Sequence, residues 1–265
     1  MGGGSRCLCD RYNGPDGGSG GGADDGRDRD QAVSGVGYGF LWLVCNAVGR
    51  LLFRYRAIGR EHIPTHGGVL VAANHASFLD IPLLGCGVPR RVAFLGRQDL
   101  FPVPGLRWLV QWLGWIPIRQ DRLDREGFGK AIRLIKEGKV VAIYPEGTRS
   151  PNGALQPGRP GIGILVAETG CPVVPAYIDG TYEALPTGAA WIRLHPVTVT
   201  YGEPIDFSVD AQRDSGKEFY HHVSRTVMTR IAALGRVAPP TVPSAPAERA
   251  ERSERRPAAR PYNAE

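Results

Sequence analysis

Through the middle of the chain, short apolar runs alternate with segments of helical period. Val69-Leu-Val-Ala-Ala73 and Val140 to Tyr144 are continuous apolar stretches of strand length, the pattern of strands buried on both faces. Arg91 to Leu95, Ile116-Pro-Ile118, Val173 to Ile178 and Ile192 to Tyr201 read as further strands. Phe78 to Cys86, Leu106 to Leu113, Asp124 to Glu137, Gly161 to Glu168 and Phe219 to Leu234 carry helical spacing. The Asp124 segment is the best marked. Asp124 can cap its start, Ile132, Leu134 and Ile135 lie on its apolar side, and Gly138 can end it. This alternation predicts an α/β fold: a single domain with a mixed, mostly parallel sheet flanked by helices.

Composition divides the 265 residues further. The 36 Gly and 22 Pro are too many for a regular fold throughout, and the excess sits at the two ends. Residues 1–36 are mostly Gly, Asp and Arg, and residues 236–265 mostly Pro, Ala, Arg and Glu. Neither has enough apolar side chains to offset chain entropy, so both are expected to be disordered tails. Residues 58–235 are left as one domain. The overall charge of +6 is carried by the middle, because the first 35 residues hold four basic and six acidic side chains and the last 30 hold six and four. A basic core suits nucleic acid, anionic lipid or a phosphate-bearing substrate. The five Cys are scattered, and no spacing matches a zinc site or a disulfide framework.

The first apolar run, GYGFLWLVCNAVGRLLFRYR, follows an acidic arm and is not placed like a secretory signal. Asn46 and Arg50 interrupt it, and its uninterrupted part is shorter than the roughly 20 residues that cross a bilayer. Residues 37–57 therefore read as a helix lying in the membrane interface, with Arg54 and Arg56 near anionic heads; a core helix has the same pattern. Trp108, Trp112 and Trp115 in RWLVQWLGW suit an interface, an acyl groove or the domain core.

Two motifs follow apolar strands. In Asn74-His75-Ala-Ser77-Phe-Leu-Asp80, Asp80 lies five residues after His75 across a loop-to-helix turn. A carboxylate held against one ring nitrogen fixes the tautomer and frees the other nitrogen to take a proton from a hydroxyl. No nucleophilic serine motif accompanies it, so the nucleophile would be the substrate's own hydroxyl. Ser77-x-x-Asp80 is equally a helix capping box. In Tyr144-Pro-Glu146-Gly147-Thr148-Arg149-Ser150, Gly147 permits close backbone approach and Arg149 offers a planar fork for phosphate; a Pro-Gly turn with a solvated Arg has the same composition. Arg119, ending Gly114-Trp-Ile-Pro-Ile-Arg119, is a second phosphate candidate. Cys171-Pro-Val-Val-Pro175 reads mainly as buried strand.

Taken in order, these four segments resemble the blocks of the glycerolipid acyltransferase family, which includes 1-acylglycerol-3-phosphate acyltransferases. Asn-His-x-Ser-x-x-Asp is met in full at 74–80, aromatic-Pro-Glu-Gly-Thr-Arg-Ser at 144–150, and the weaker second and fourth blocks at 114–119 and 171–175. The resemblance covers roughly Ile58 to Gly202. One departure concerns a Phe-Lys-x-Gly element that many members carry; here Leu155-Gln-Pro-Gly-Arg159-Pro-Gly161 stands in its place, with Arg159 where a Lys would hold phosphate.

The resemblance implies transfer of a fatty acyl group from acyl-CoA or acyl carrier protein to the free hydroxyl of lysophosphatidic acid, giving phosphatidic acid. His75 would be the base and Asp80 its orienter. Glu146, Gly147, Thr148 and Arg149 would hold the acceptor, with Arg119 and Arg159 on its phosphate and backbone N–H groups around Gly147 on the oxyanion. Thioesters are already activated, so no metal and no cofactor beyond the acyl donor is expected. Membrane lipids would be partners, the enzyme sitting peripherally or monotopically on the cytoplasmic face of the cell membrane. Two readings stay beside this one: the same chemistry on glycerol 3-phosphate, another lysophospholipid or a glycolipid, and a non-enzymatic basic membrane- or nucleic-acid-binding module. No nucleic-acid motif is present, and the last reading leaves His75 with Asp80 unexplained.

Overall fold

The computed structural model of the chain describes residues 25–97, 114–118, 124–189, 191–210 and 216–241, with side chains from Gly37 onward. Helix α1 (Asp25–Phe53) leads into β1 (Arg56–Ile58), a turn of 3₁₀ helix (Arg60–His62), β2 (Val69–Ala73), α2 (Asp80–Gly87), β3 (Val92–Arg97) and β4 (Trp115–Ile118). There follow α3 (Arg125–Lys136), β5 (Val140–Ile143), α4 (Gly161–Thr169), β6 (Val173–Asp179), the single turn α5 (Thr181–Ala184), β7 (Thr198–Tyr201) and α6 (Lys217–Gly235).

The seven strands form one sheet in the order β1-β7-β6-β2-β5-β3-β4. Every neighbouring pair is parallel except β6 and β7. The expected mixed, mostly parallel sheet is therefore present. β2 sits centrally and every residue of it is buried, which is why its sequence lacks alternation. Val69, Val71 and Ala73 face a core shared with α2 and the end of α1, while Leu70 and Ala72 face one shared with α3, α4 and α6.

Several boundaries differ from the sequence reading. Helix α1 begins at Asp25, upstream of Gly37, so 25–36 is not an irregular arm; it ends at Phe53, and Arg56–Ile58 is a strand rather than helix. The strand expected over Ile192 to Tyr201 pairs only from Thr198; Val197 before it is buried, and Ile192 to Pro196 form an exposed segment. Trp115 packs into the core, whereas Trp108, Trp112 and Arg119 lie outside the described residues. Asn46, which breaks the apolar run, is buried: its amide donates to Cys86 O (3.3 Å) and Trp42 O (3.0 Å), fastening α1 to α2.

Helix α2 is fixed from below by two tyrosines. Tyr55 OH donates to Leu83 O (2.8 Å) and Tyr201 OH to Leu84 O (2.5 Å), satisfying carbonyls of its last turn. The Tyr201 ring lies so close to Gly87 that any Cβ there would collide with it. Since α2 opens with Asp80, these contacts set where that carboxylate stands.

Candidate active site

The carboxyl ends of β2, β5 and β6 open onto one edge of the sheet, and His75 emerges there just past β2. Its approach is set by Asn74. The Asn74 amide donates to Ile178 O (2.9 Å) and accepts from Ile178 N (2.7 Å), so a side chain continues the β2–β6 ladder after the backbone has turned away. The His75 peptide is then held at both polar groups by the loop after β5: its N–H donates to Glu146 Oε1 (2.9 Å), and its carbonyl accepts from Ser150 N (2.7 Å).

The imidazole is fixed on two sides. Nδ1 lies 2.8 Å from Asp80 Oδ2. The same oxygen accepts from Ala76 N (2.7 Å) and Ser77 N (2.8 Å), so three N–H donors converge on it. Against a carboxylate so engaged, Nδ1 carries the hydrogen and Nε2 keeps its lone pair. One ring face stacks on Tyr144, with centroids 4.1 Å apart and planes 15° from parallel. Asp80 is fully buried, whereas His75 retains some exposure. Asp80 Oδ1 and Tyr144 OH, both buried, have no hydrogen-bond partner among the described residues. Burial, reinforced by the Asp80 charge, holds the Tyr144 hydroxyl well above its ordinary pKa.

The capping-box and orienter readings of Asp80 prove compatible. Asp80 reaches back to Ser77 N as a box requires, and that same oxygen holds His75. Ser77 does not complete the box in the usual way: its hydroxyl accepts from Leu79 N and donates to Leu185 O (2.9 Å), tying the turn to the segment after α5.

The second motif lies beside the first but divides its labour differently from expectation. Glu146 was expected to face the acceptor. It is instead buried at 3% exposure, its two oxygens bracing His75 N and Gln156 N (3.1 Å), so it stands behind His75 as a strut. Burial is the main cause that pushes its carboxyl up to about 8, against the pull of those two N–H donors and with a further push from Asp80. The Gly147 N–H, one of the expected oxyanion donors, is committed to Tyr144 O (3.0 Å). Gly147 has φ +74°, so the turn favours glycine, and the Arg159 side chain crosses it with Nε 2.7 Å from where a Cβ would stand. Arg159 is docked by its own N–H on Pro145 O (2.8 Å) and is exposed. Thr148 is exposed, and Arg149, half-buried, lies with its guanidinium carbon 3.7 Å above the centre of the Phe78 ring. Two arginines and a partly open histidine thus share one rim.

Asn74, Tyr144, Ser150 and Gln156 were not assigned these roles from the chain alone. The signal for Tyr144 was available, since an aromatic opens the second motif, but what it stacks on follows only from the adjacency of β2 and β5. Among the described residues no cluster of three or more His, Cys, Asp or Glu could hold a metal ion. The arrangement is a base whose Nδ1 is held by a buried carboxylate, leaving the Nε2 lone pair for a proton, with cations beside it. It can deprotonate a hydroxyl on a molecule that carries phosphate.

The Acyltransferase family profile matches residues 54–179, which contain His75, Asp80 and the Tyr144–Ser150 loop. A chloroplastic 1-acyl-sn-glycerol-3-phosphate acyltransferase of Brassica napus is 34% identical over 176 residues, 63% of this chain and 51% of that one. The 1-acyl-sn-glycerol-3-phosphate acyltransferase of Bacillus subtilis is 25% identical over 153 residues, 57% of this chain and 73% of that one. The crystal structure of the 1-acyl-sn-glycerophosphate acyltransferase PlsC from Thermotoga maritima superposes with a TM-score of 0.60 at 28% identity, covering 77% of this chain and 81% of that one. The chain spans about half the length of the plant relative.

Proposed function

We propose that this chain, whose residues 54–179 match the Acyltransferase family profile, acylates the free hydroxyl of 1-acyl-sn-glycerol 3-phosphate from a CoA or acyl-carrier-protein thioester, giving phosphatidic acid at a membrane surface. The observation that carries this reading is the 2.8 Å contact between His75 Nδ1 and Asp80 Oδ2, which leaves the lone pair of the other ring nitrogen for the substrate. His75 Nε2 takes the hydroxyl proton as the oxygen attacks the thioester carbonyl. The tetrahedral intermediate collapses, the carbon–sulfur bond breaks, and the imidazolium returns the proton to the departing thiolate. Asp80 favours the imidazolium throughout. Arg149, Arg159 and Arg119 hold the acceptor's phosphate, and Thr148 lines the rim.

Membrane association rests on α1. Phe40, Leu43, Val44, Ala47, Val48, Leu51 and Leu52 recur at helical spacing and are all exposed, Phe40 at 69% and Leu51 at 82%. No charge interrupts that stripe, and Arg50 and Arg54 flank its end. An apolar stripe of this kind suits the acyl–headgroup boundary of a bilayer. No helix among the described residues is long and apolar enough to cross a membrane.

The test is release of free thiol from a long-chain acyl-CoA by purified protein, with lysophosphatidic acid, glycerol 3-phosphate and a lysophosphatidylcholine offered in turn. Lysophosphatidic acid is the expected acceptor, and His75→Ala is expected to lower turnover by roughly 10²- to 10⁴-fold. Preference for an acceptor without a terminal phosphomonoester overturns the arginine roles. Near-parental turnover by His75→Ala overturns the base.

A further inference from the structure

Outside the site and α1, the largest exposed apolar side chains of the described residues stand together in Trp191-Ile192-Arg193-Leu194, between α5 and β7. Trp191 is 84% exposed, Leu194 72% and Ile192 56%. Three such residues in four are not accounted for by ordinary surface composition, and tryptophan in particular favours a boundary between water and lipid.

Sheet register puts the segment on the same edge as His75. β7 runs antiparallel to β6, so its first residue, Thr198, pairs with Asp179 at the carboxyl end of β6. On its other side Thr198 pairs with Arg56, at the start of β1 and just past the end of α1. The segment leading into β7 therefore lies between the end of α1 and the mouth of the site. Its backbone is pegged there: Arg193 N donates to Ala184 O (2.7 Å), and Val197 N donates to Phe53 O (2.8 Å). Its apolar side chains project from a held main chain, which limits the entropy lost when they dock.

We infer that the Trp191–Leu194 segment is a second membrane anchor, which inserts into an anionic leaflet beside α1 and turns the His75 mouth toward the lipid. Charge selects this occupant. Arg193 lies in the segment and is exposed, exposed Arg54 and Arg56 border it on the α1 side, and no carboxylate occurs from Leu185 to Tyr201; exposed Asp179 and Glu183 border it on the β6 side. An apolar tip carrying one arginine, with two more on the margin toward α1, matches an acidic headgroup layer over acyl chains. With α1 alone the domain could pivot about the helix axis. A second point of insertion off that axis fixes which side faces the bilayer. Phe78, three residues after His75 and 39% exposed, is then presented to the same layer.

The inference rests on the membrane-bound reading above, and the experiment separates the two. Full-length protein is co-sedimented with vesicles of phosphatidylcholine alone and of phosphatidylcholine with phosphatidylglycerol in equal parts. Three proteins are compared: the parent, a variant combining Trp191→Ser, Ile192→Ser and Leu194→Ser, and an α1 variant combining Phe40→Ser and Leu51→Ser. All replaced side chains are exposed, and equal thermal unfolding midpoints verify intact folds. The loop variant is expected to bind mixed vesicles roughly tenfold to a hundredfold more weakly. Its KM for vesicle-presented acceptor should rise, with turnover on short-chain, monomeric substrates unchanged. Loss of binding in the α1 variant with none in the loop variant overturns this inference and leaves the membrane reading standing. Failure of the parent to sediment overturns both. A parental dimer that the loop substitutions convert to monomer, by analytical ultracentrifugation, makes the segment a self-association surface and also overturns it.

Discussion

Replacing Asp80 by Asn separates two functions that one carboxylate performs, orienting the imidazole and stabilising its charged form. Three N–H donors meet at Oδ2: His75 Nδ1, Ala76 N and Ser77 N. An asparagine must put its carbonyl oxygen there, because its NH₂ would oppose all three. The tautomer and ring position therefore survive, while the negative charge does not. At an effective dielectric of about 20 and a charge separation of about 4 Å, pairing of imidazolium with carboxylate is worth about 4 kcal/mol. The imidazolium forms only as the proton moves, so the loss falls on the transition state and lowers kcat by about 10³-fold with KM little changed. The NH₂ meanwhile takes the buried Oδ1 position, an atom with no hydrogen-bond partner among the described residues, and leaving it unpaired there costs about 1–3 kcal/mol of stability. Thiol release at saturating acceptor, measured beside a urea unfolding curve, reads both effects. A folded Asp80→Asn enzyme within about tenfold of parental kcat refutes the argument, because the carboxylate's charge would then contribute under about 1.4 kcal/mol to the transition state.

Two further outcomes follow from the strut and the ladder extension. Glu146 has its pKa raised from 4.5 to about 8, so between those values the folded state binds more protons than the unfolded chain. Its contribution to stability is present in full below pH 4.5 and is lost as pH rises through 8, with a slope of at most about 1.4 kcal/mol per pH unit; Glu146→Gln, which cannot ionise, should flatten that part of the stability–pH curve, and an unchanged slope in urea titrations across this range counts against the buried strut. Asn74→Ala leaves the Ile178 N–H and carbonyl without their partner and should cost about 2–4 kcal/mol in a urea unfolding curve; a loss below about 0.5 kcal/mol means the ladder ends at Ala73 without needing the side chain.

The parts of the fold that could be read from the chain are those where burial alone dictates the residues. β2 and β5 lie inside the sheet with both faces covered, and a short unbroken run rich in β-branched residues such as VLVAA, bounded by Gly and Asn, is what such a strand uses. Asp124 announced α3 because capping is local: its Oδ1 accepts from Glu126 N and Gly127 N (both 3.1 Å) with no reference to the rest of the molecule. β1 left no trace, since three residues cannot display a period and Arg56–Ile58 is a strand only because β7 lies alongside. The start of α1 was hidden by glycine-rich composition, although Asp25 and Asp28 suit a helix amino terminus. The reading of Ile192 to Tyr201 erred in the opposite sense. Its apolar residues suggest pairing, but Pro196 has no N–H to donate, and the side chains before it face solvent.

At the site the same division holds. The five-residue offset between His75 and Asp80 is a local property and was legible as base and orienter. What Glu146 does is a long-range property, because its partner is the backbone of a residue 71 positions earlier. A motif records which residues must occur together and is silent on whether they face the substrate or each other. Here the loop after β5 does both. Tyr144, Glu146 and Ser150 turn inward, one stacking on the His75 ring and two holding its peptide, while Thr148, Arg149 and the docked Arg159 look outward. The residues before Gly147 face inward and the two after it outward, its positive φ reversing the chain between them, until Ser150 turns back in. It follows that a substitution in this loop acts on catalysis by either of two routes. Changes at Tyr144, Glu146 or Ser150 displace the base and should fall mainly on kcat, whereas changes at Arg149 or Arg159 weaken the grip on the acceptor and should fall mainly on KM.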